Sequence, residues 1–153
     1  MSSVEVGVVD VFVLHGKGKA WRVLTLRRTA GTRSPGSWET VHGHIERGET
    51  PVGAARRELR EETGLVPERL YSITVNPFYL HRSGTVQLAV VFAAFVASDE
   101  VQIGREHDAY EWLTPTQAAK RFSWPRDGDS LAQIRKLLEK GDAGVVEDVL
   151  RIR

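Results

Sequence analysis

The chain has 153 residues, 41% of them hydrophobic and 27% charged, with a formal net charge of +1 at pH 7; this predicts one soluble globular domain, residues 1–153, with a real core. It has no cysteine, which excludes disulfides and thiolate metal sites and suits a reducing, cytoplasmic setting. The longest apolar runs fall far short of the roughly 20 residues of a membrane-spanning helix, MSSVEVGVVD lacks the basic start of a secretory signal, and without a basic run nothing argues for a nucleic-acid footprint.

Residues 4–14, VEVGVVDVFVL, are rich in β-branched residues and read as a strand. His15 to Lys19 make a turn, and residues 20–28, AWRVLTLRR, read as a second strand ending in Arg27 and Arg28. Residues 29–37, TAGTRSPGS, are a loop. Trp38 to His42 form a short strand, and a helix is expected over about 51–63. Thr50 is its N-cap, Pro51 fills the first helical position, and Gly64 suits the left-handed residue that ends it. Residues 69–80 and 85–97 are two more strands around an Arg82-Ser83-Gly84 turn. The second, TVQLAVVFAAFVA, is apolar enough to lie centrally with both faces covered. Asp99 to Gly104 read as polar and mobile. EHDAYEWL, 106–113, holds a short strand with Tyr110 and Trp112 assigned to the core. Thr114 and Pro115 start a helix to about Arg121. Phe122 to Pro125 break it, and residues 130–140 form an amphipathic helix with Leu131, Ile134, Leu137 and Leu138 inward and Gly141 as its stop. The last dozen residues carry no clear pattern.

The 51–63 helix carries the chemistry. Its apolar stripe is Val52, Ala55 and Leu59, and beside it stand Glu58, Glu61 and Glu62, with Glu49 one turn ahead. At about 100° per residue, Glu58 and Glu62 lie only about 40° apart. Two like unit charges 4 Å apart cost about 4 kcal/mol at an effective dielectric near 20. Such a cluster is either a splayed, solvated face paired with Arg56, Arg57 and Arg60, or a holder of a divalent cation. Mg²⁺ takes oxygen ligands of this kind.

The longer pattern decides between them. Gly43, Glu49, Arg57, Glu58, Leu59, Glu61, Glu62, Gly64 and Leu65 fit G-x5-E-x7-R-E-U-x-E-E-x-G-U, with U a bulky aliphatic residue, at all nine specified positions. Chance gives such a match on the order of once in a billion starting positions. The segment resembles the signature of the Nudix hydrolase family. The resemblance implies an α/β/α sandwich, an α+β fold with a mixed sheet and a catalytic loop-helix. It also implies Mg²⁺, with Mn²⁺ as an alternative, and a small nucleotide or nucleotide-like pyrophosphate as substrate. Neither nucleic acid nor membrane is expected as partner, and the chain is expected to be a monomer or homodimer.

Glu58 and Glu62 are the leading metal ligands, because carboxylates at i and i+4 converge on one ion. Glu61 and the Gly43 carbonyl join them. EHDAYEWL resembles a run found in dihydroneopterin triphosphate pyrophosphatases and diadenosine tetraphosphate hydrolases, and this adds Glu106 as a metal-side carboxylate. Glu58, Glu61 or Glu106 acts as base. Arg57 braces the acids, most naturally through Glu49, so Glu49, Arg57, Glu58 and Glu61 make the catalytic group. Arg27 and Arg28 face substrate phosphates in the family pattern, or end their strand in solvent. Trp38 stacks on a base or pterin ring, or packs in the core. His42 stands where many relatives have a glycine, and either binds phosphate or is structural. Ser123-Trp124 also occurs in the dihydroneopterin triphosphate enzymes, which brings Trp124 to the substrate side. Together these features lean to a nucleoside triphosphate or dihydroneopterin triphosphate, cleaved to monophosphate and pyrophosphate. A dinucleoside polyphosphate is the alternative. A binding protein of the same fold without catalysis usually lacks a signature acid, and all are present here.

Overall fold

β1 (Val4–His15) organises the chain, because its side chains alternate between two apolar layers. In the computed structural model, which describes residues 1–153, Phe12 and Leu14 point into one buried cluster and Val9, Val11 and Val13 into the other. β6 (Thr85–Phe95) runs parallel to β1, with Val8 opposite Ala89 and Leu14 opposite Phe95. It divides its residues the same way, Val91, Ala93 and Phe95 to one side and Phe92 and Ala94 to the other. Two-faced burial is what a continuous apolar run in a central strand requires.

The remaining elements are β2 (Arg22–Arg28), β3 (Trp38–Glu39), β4 (Val41–His44), α1 (Pro51–Thr63), β5 (Arg69–Leu80), β7 (His107–Leu113), α2 (Pro115–Arg121), α3 (Pro125–Leu138), α4 (Glu147–Leu150) and β8 (Arg151–Ile152), with a 3₁₀ turn at Gly144–Val146. The sheet order is β3-β2-β1-β6-β5-β8, with β4 also on β1 and β7 also on β2. One face carries α1 through Ala54, Ala55 and Leu59. The other carries α2 and α3 through Ala118, Leu131, Ile134 and Leu138. The expected α/β/α sandwich with a mixed sheet is therefore what the chain forms. No helix is long and apolar enough to cross a membrane.

The sheet forks on one edge of β1. β2 meets β1 only at Leu14↔Val23 and His15↔Arg22, and farther along β4 takes the same edge, from Val8↔His44 to Val11↔Val41. β2 diverges with β3 and β7 on its own edges. Residues 38–44 thus cross from one branch to the other, and the single expected strand over 38–42 is broken at Thr40. The buried Thr40 hydroxyl donates to the Val11 carbonyl at 2.6 Å.

Elsewhere the outlines need correction. α3 starts at Pro125 rather than residue 130, because its first turn, Pro125 to Asp129, has no apolar side chain to register in a hydrophobic pattern, whereas proline at the first position suffices to start it. Leu137 is only partly buried. Asp99 to Gly104 is anchored, since Val101 and Ile103 pack against the α1 layer. Tyr110 is 40% exposed instead of core, because β7 pairs with β2 outside the two-faced part of the sheet. The last dozen residues close the chain with α4 and β8, and β8 pairs with β5 only at Leu70 and Tyr71. The outer edge of β5 beyond Tyr71 carries no partner strand.

Ile134 is fully buried between α3 and the sheet. Ile134→Ala should lower unfolding stability by about 2–5 kcal/mol, read as a lower urea midpoint with an unchanged slope.

Candidate functional site

α1 begins and ends as its sequence dictates. The Thr50 hydroxyl accepts the Gly53 N–H at 3.0 Å, Pro51 occupies the first turn, and Gly64 at φ 75° closes the helix with its N–H on the Arg60 carbonyl. The helix spans the residues expected of it. Docking Ala55 and Leu59 on the sheet turns Glu58 and Glu61 toward β4, and puts Glu62 on the buried side, only 4% exposed.

Arg57 is the hub. Its Nε and Nη2 donate to the two oxygens of Glu49 at 2.7 and 2.9 Å. Nη1 donates to Glu58 at 2.8 Å and to Glu61 at 3.2 Å, and Nη2 also reaches the His44 carbonyl at 2.9 Å. The brace anticipated between Arg57 and Glu49 is present as a bidentate pair. The Arg57 hydrogen bonds pull the Glu49 carboxyl down to about 2, helped by the Glu46 N–H. Burial pushes Glu58 upward, and Arg57 opposes that only in part.

Gly43 lies against the same helix. A Cβ there would sit 2.1 Å from Glu58 Cδ, so only glycine lets the Glu58 carboxylate rest on β4 beside the Gly43 backbone. Gly43, Glu58, Glu61 and Glu106 line one pocket of about 280 Å³ with no apolar residue on its wall. Arg28, Arg33, His42 and Arg57 line it as well.

Glu62 lies beneath this pocket instead of on its wall. It accepts the His42 N–H at 3.2 Å, and its other oxygen is buried without a partner. Burial, and then the charges of Glu58, Glu39 and Glu106, raise its pKa well above the ordinary value. Ligand atoms of Glu62, Glu39 and His107 lie within 4.8 Å of one another, and all three residues are buried. His107 Nε2 is 2.8 Å from Glu39 and 3.8 Å from Glu62. Burial alone would raise the Glu39 pKa, but the His107 hydrogen bond and the charges of Arg28 and Arg33 bring it below the usual value. The oxygen donors that line the pocket, the Gly43 carbonyl, Glu58, Glu61 and Glu106, are of the type that suits a divalent cation, whereas Glu62, expected to converge with Glu58 on one ion, groups with Glu39 and His107 instead.

Glu39 and Asp10 were not singled out from the sequence, whereas Arg27 and Arg28 both were. Arg27, expected toward phosphates, pairs with Asp108 at 2.7 Å and does not line the pocket. Arg28 does, with its guanidinium on Glu39 at 3.1 Å and Glu106 at 3.6 Å. Neighbouring strand residues face opposite ways, so the Arg-Arg pair signalled one inward cation without saying which. Trp38 lies between Arg121 and Arg27, whose guanidinium carbons are 4.4 and 5.9 Å from its ring centre, and lines neither this pocket nor the neighbouring cleft. That cleft, about 460 Å³, is walled by Val8, Phe78, Leu80, Trp124 and Arg126, and shares Arg33, His42 and His44 with the carboxylate pocket. His42 is held by buried Asp10, with Nδ1 to Oδ1 at 2.6 Å. The structure therefore brings His42 and Trp124 to one cleft and leaves Arg27 and Trp38 outside it.

Residues 4–134 match the family model described as the NUDIX domain. The chain belongs to the Nudix family. Among curated sequences it is 38% identical over 117 residues to an octanoyltransferase of Myxococcus xanthus, covering 74% of this chain and 32% of that protein. It is 40% identical over 73 residues to an RNA pyrophosphohydrolase of Bartonella quintana, covering 46% and 42%. The chain thus spans less than half of the length of these relatives, 32% of one and 42% of the other. The structure of the Escherichia coli dihydroneopterin triphosphate pyrophosphohydrolase superposes with a TM-score of 0.64 at 26% identity, covering 82% of this chain and 92% of that one.

The depressed Glu49 pKa has a stability consequence. A carboxylate whose folded pKa lies below its unfolded value stabilises the fold above the unfolded pKa, and that contribution fades as pH falls toward the folded one. The Tm difference between wild type and Glu49→Gln should therefore be largest above about pH 4.5 and shrink as pH falls toward about 2, measured by thermal melts across that range.

Proposed function

We propose that this Nudix chain hydrolyses a phosphoanhydride bond of a nucleoside triphosphate or of dihydroneopterin triphosphate, releasing a monophosphate and pyrophosphate. One observation carries the reading: a wholly polar carboxylate pocket and a ring-sized apolar cleft share the wall formed by Arg33, His42 and His44. A molecule with a phosphate chain at one end and a planar ring at the other fits that pair of spaces. The 26% identity to the dihydroneopterin triphosphate enzyme supports the same substrate class.

Gly43 through its carbonyl, Glu58, Glu61, Glu62 and Glu106 would hold Mg²⁺ or Mn²⁺. Such an ion supplies neutralisation of phosphate oxygens and acidity of bound water. The protein's own residues do the rest. Arg28 and Arg33 present positive charge on the pocket wall, toward the phosphates. Arg57 holds Glu58 and Glu61 in place through hydrogen bonds of 2.8 and 3.2 Å. One of Glu58, Glu61 and Glu106 takes the proton of the attacking water. The water oxygen bonds to phosphorus, the bridging P–O bond breaks, and pyrophosphate leaves. Most of the catalytic effect comes from positioning and charge neutralisation. His42 and Trp124 contact the substrate beside the α-phosphate and the ring.

The test is a panel of nucleoside triphosphates, dihydroneopterin triphosphate, diadenosine tetraphosphate, ADP-ribose, coenzyme A and 5′-triphosphorylated RNA, with and without Mg²⁺, products being identified by mass. Metal-dependent release of pyrophosphate from a mononucleoside or pterin triphosphate is expected. Turnover only of a dinucleotide or of RNA would replace the substrate. Glu58→Gln and Glu62→Gln should each lower kcat by about 100-fold or more with the far-UV spectrum unchanged; near wild-type turnover in both would sink the assignment.

A further inference from the structure

Arg126, in the first turn of α3, lines the ring-sized cleft. Its guanidinium carbon lies 4.7 Å from the centre of the Phe78 ring and 5.2 Å from that of Trp124. Two aromatic residues, one from β5 and one from the turn before α3, therefore fix where the cation sits. The neighbouring arginines have carboxylate partners: Arg28 and Arg33 share Glu39, Arg27 has Asp108, and Arg121 has Glu111. Arg126 forms no ion pair, and its Nε is buried without an acceptor. The adjacent carboxyl, Asp127, is buried. Burial first and the nearby Asp10 next raise its pKa well above the usual carboxylate value, against the opposing charge of Arg126.

A guanidinium is a rigid, planar fork of donors with no acceptor. Held by ring faces on the wall of a cleft, it is set to meet two acceptors side by side. Guanine presents such a pair at O6 and N7, the commonest partner of an arginine fork among the bases. A pterin presents the same pair at its 4-oxo group and N5. Adenine keeps the ring nitrogen but puts an amino donor in place of the oxo group, and a fork of donors cannot satisfy it. We propose that Arg126 is a specificity-determining residue of the cleft, selecting a ring with an oxo group beside an acceptor nitrogen, as in guanine or a pterin, over an amino-purine such as adenine. This rests on the reading of the cleft as the ring half of a triphosphate site, and narrows it.

The test separates the ring preference from hydrolysis. Calorimetric titrations of wild type, Arg126→Met and Arg126→Lys would use GMP, AMP and 7,8-dihydroneopterin as ring probes. kcat/KM would be measured in parallel for GTP, ATP and dihydroneopterin triphosphate with Mg²⁺. Wild type should bind GMP or dihydroneopterin at least about 10-fold more tightly than AMP. Arg126→Met should remove that preference while leaving AMP binding unchanged, which also shows that the variant is folded. Arg126→Lys keeps the charge but not the fork and should not restore it. The larger kcat/KM of GTP or dihydroneopterin triphosphate then names which oxo ring is the substrate. Equal binding of the three probes by wild type, binding of none, or an equal loss for all three in Arg126→Met would overturn the proposal. An Arg126-dependent ring preference without cleavage of any triphosphate would uphold it and overturn the hydrolytic reading.

Discussion

A single guanidinium, that of Arg57, stands among four carboxylates, with contacts of 3.7 Å to Glu46, 2.7 Å to Glu49, 2.8 Å to Glu58 and 3.2 Å to Glu61. The rest of the site depends on it. The acids come from two pieces of chain, the loop after β4 and α1 itself, and unopposed like charges would drive those pieces apart. Arg57 reverses the sign of that interaction at its centre. Its additional bond to the His44 carbonyl ties the same hub to the end of β4, so the backbone at Gly43 and the carboxylates of α1 are fixed by one side chain.

Around the hub the charges lie in two layers. Glu58, Glu61 and Glu106 face open space, where positive charge can reach them. Below, Glu62 and Glu39 are buried with His107 and Arg28. A buried carboxylate without a countercharge is costly, and Glu39 has three cationic or hydrogen-bonding neighbours, whereas Glu62 has one backbone donor and an unmatched oxygen. The fork in the sheet makes both layers possible. The chain leaves β2 after β3 and pairs with β1 as β4, which seats Gly43 and His42 opposite Val9 and Asp10, while β7 and the residue before it bring His107 and Glu106 from the other branch.

Much of this was legible in the sequence. α1 carried every local signal at once: a capping threonine, a first-turn proline, a terminal glycine and one apolar stripe. The spacing of its acids revealed a site because chemistry that needs carboxylates at i, i+3 and i+4 leaves a pattern in one contiguous segment. β1 and β6 were equally clear, since covered strands must be apolar throughout. What stayed hidden depends on distant pairing. The inward member of Arg27-Arg28 is set by the registry of β2 with β7, and Glu39 looked like any strand-end acid until the chain brought His107 and Arg28 to it. The first turn of α3 was missed because it is polar, and that turn carries Arg126 and Asp127. Tyr110 was misplaced because it shares its face of β7 with Trp112, which does pack against the α1 layer, and alternation does not show where along that face the cover ends.

β5 ends the sheet for most of its length, since β8 covers it only at Leu70 and Tyr71. Beyond that point it exposes Val75 and Tyr79, an apolar fringe beside unpaired backbone of the kind that recruits foreign strands. Pro77 stands in the middle of that stretch. It has no N–H to offer, and prolines within sheets are confined to such margins. Such a residue limits edge-to-edge pairing of one molecule with the next, and it does so beside Phe78 and Leu80, which line the cleft shared with His42 and Trp124.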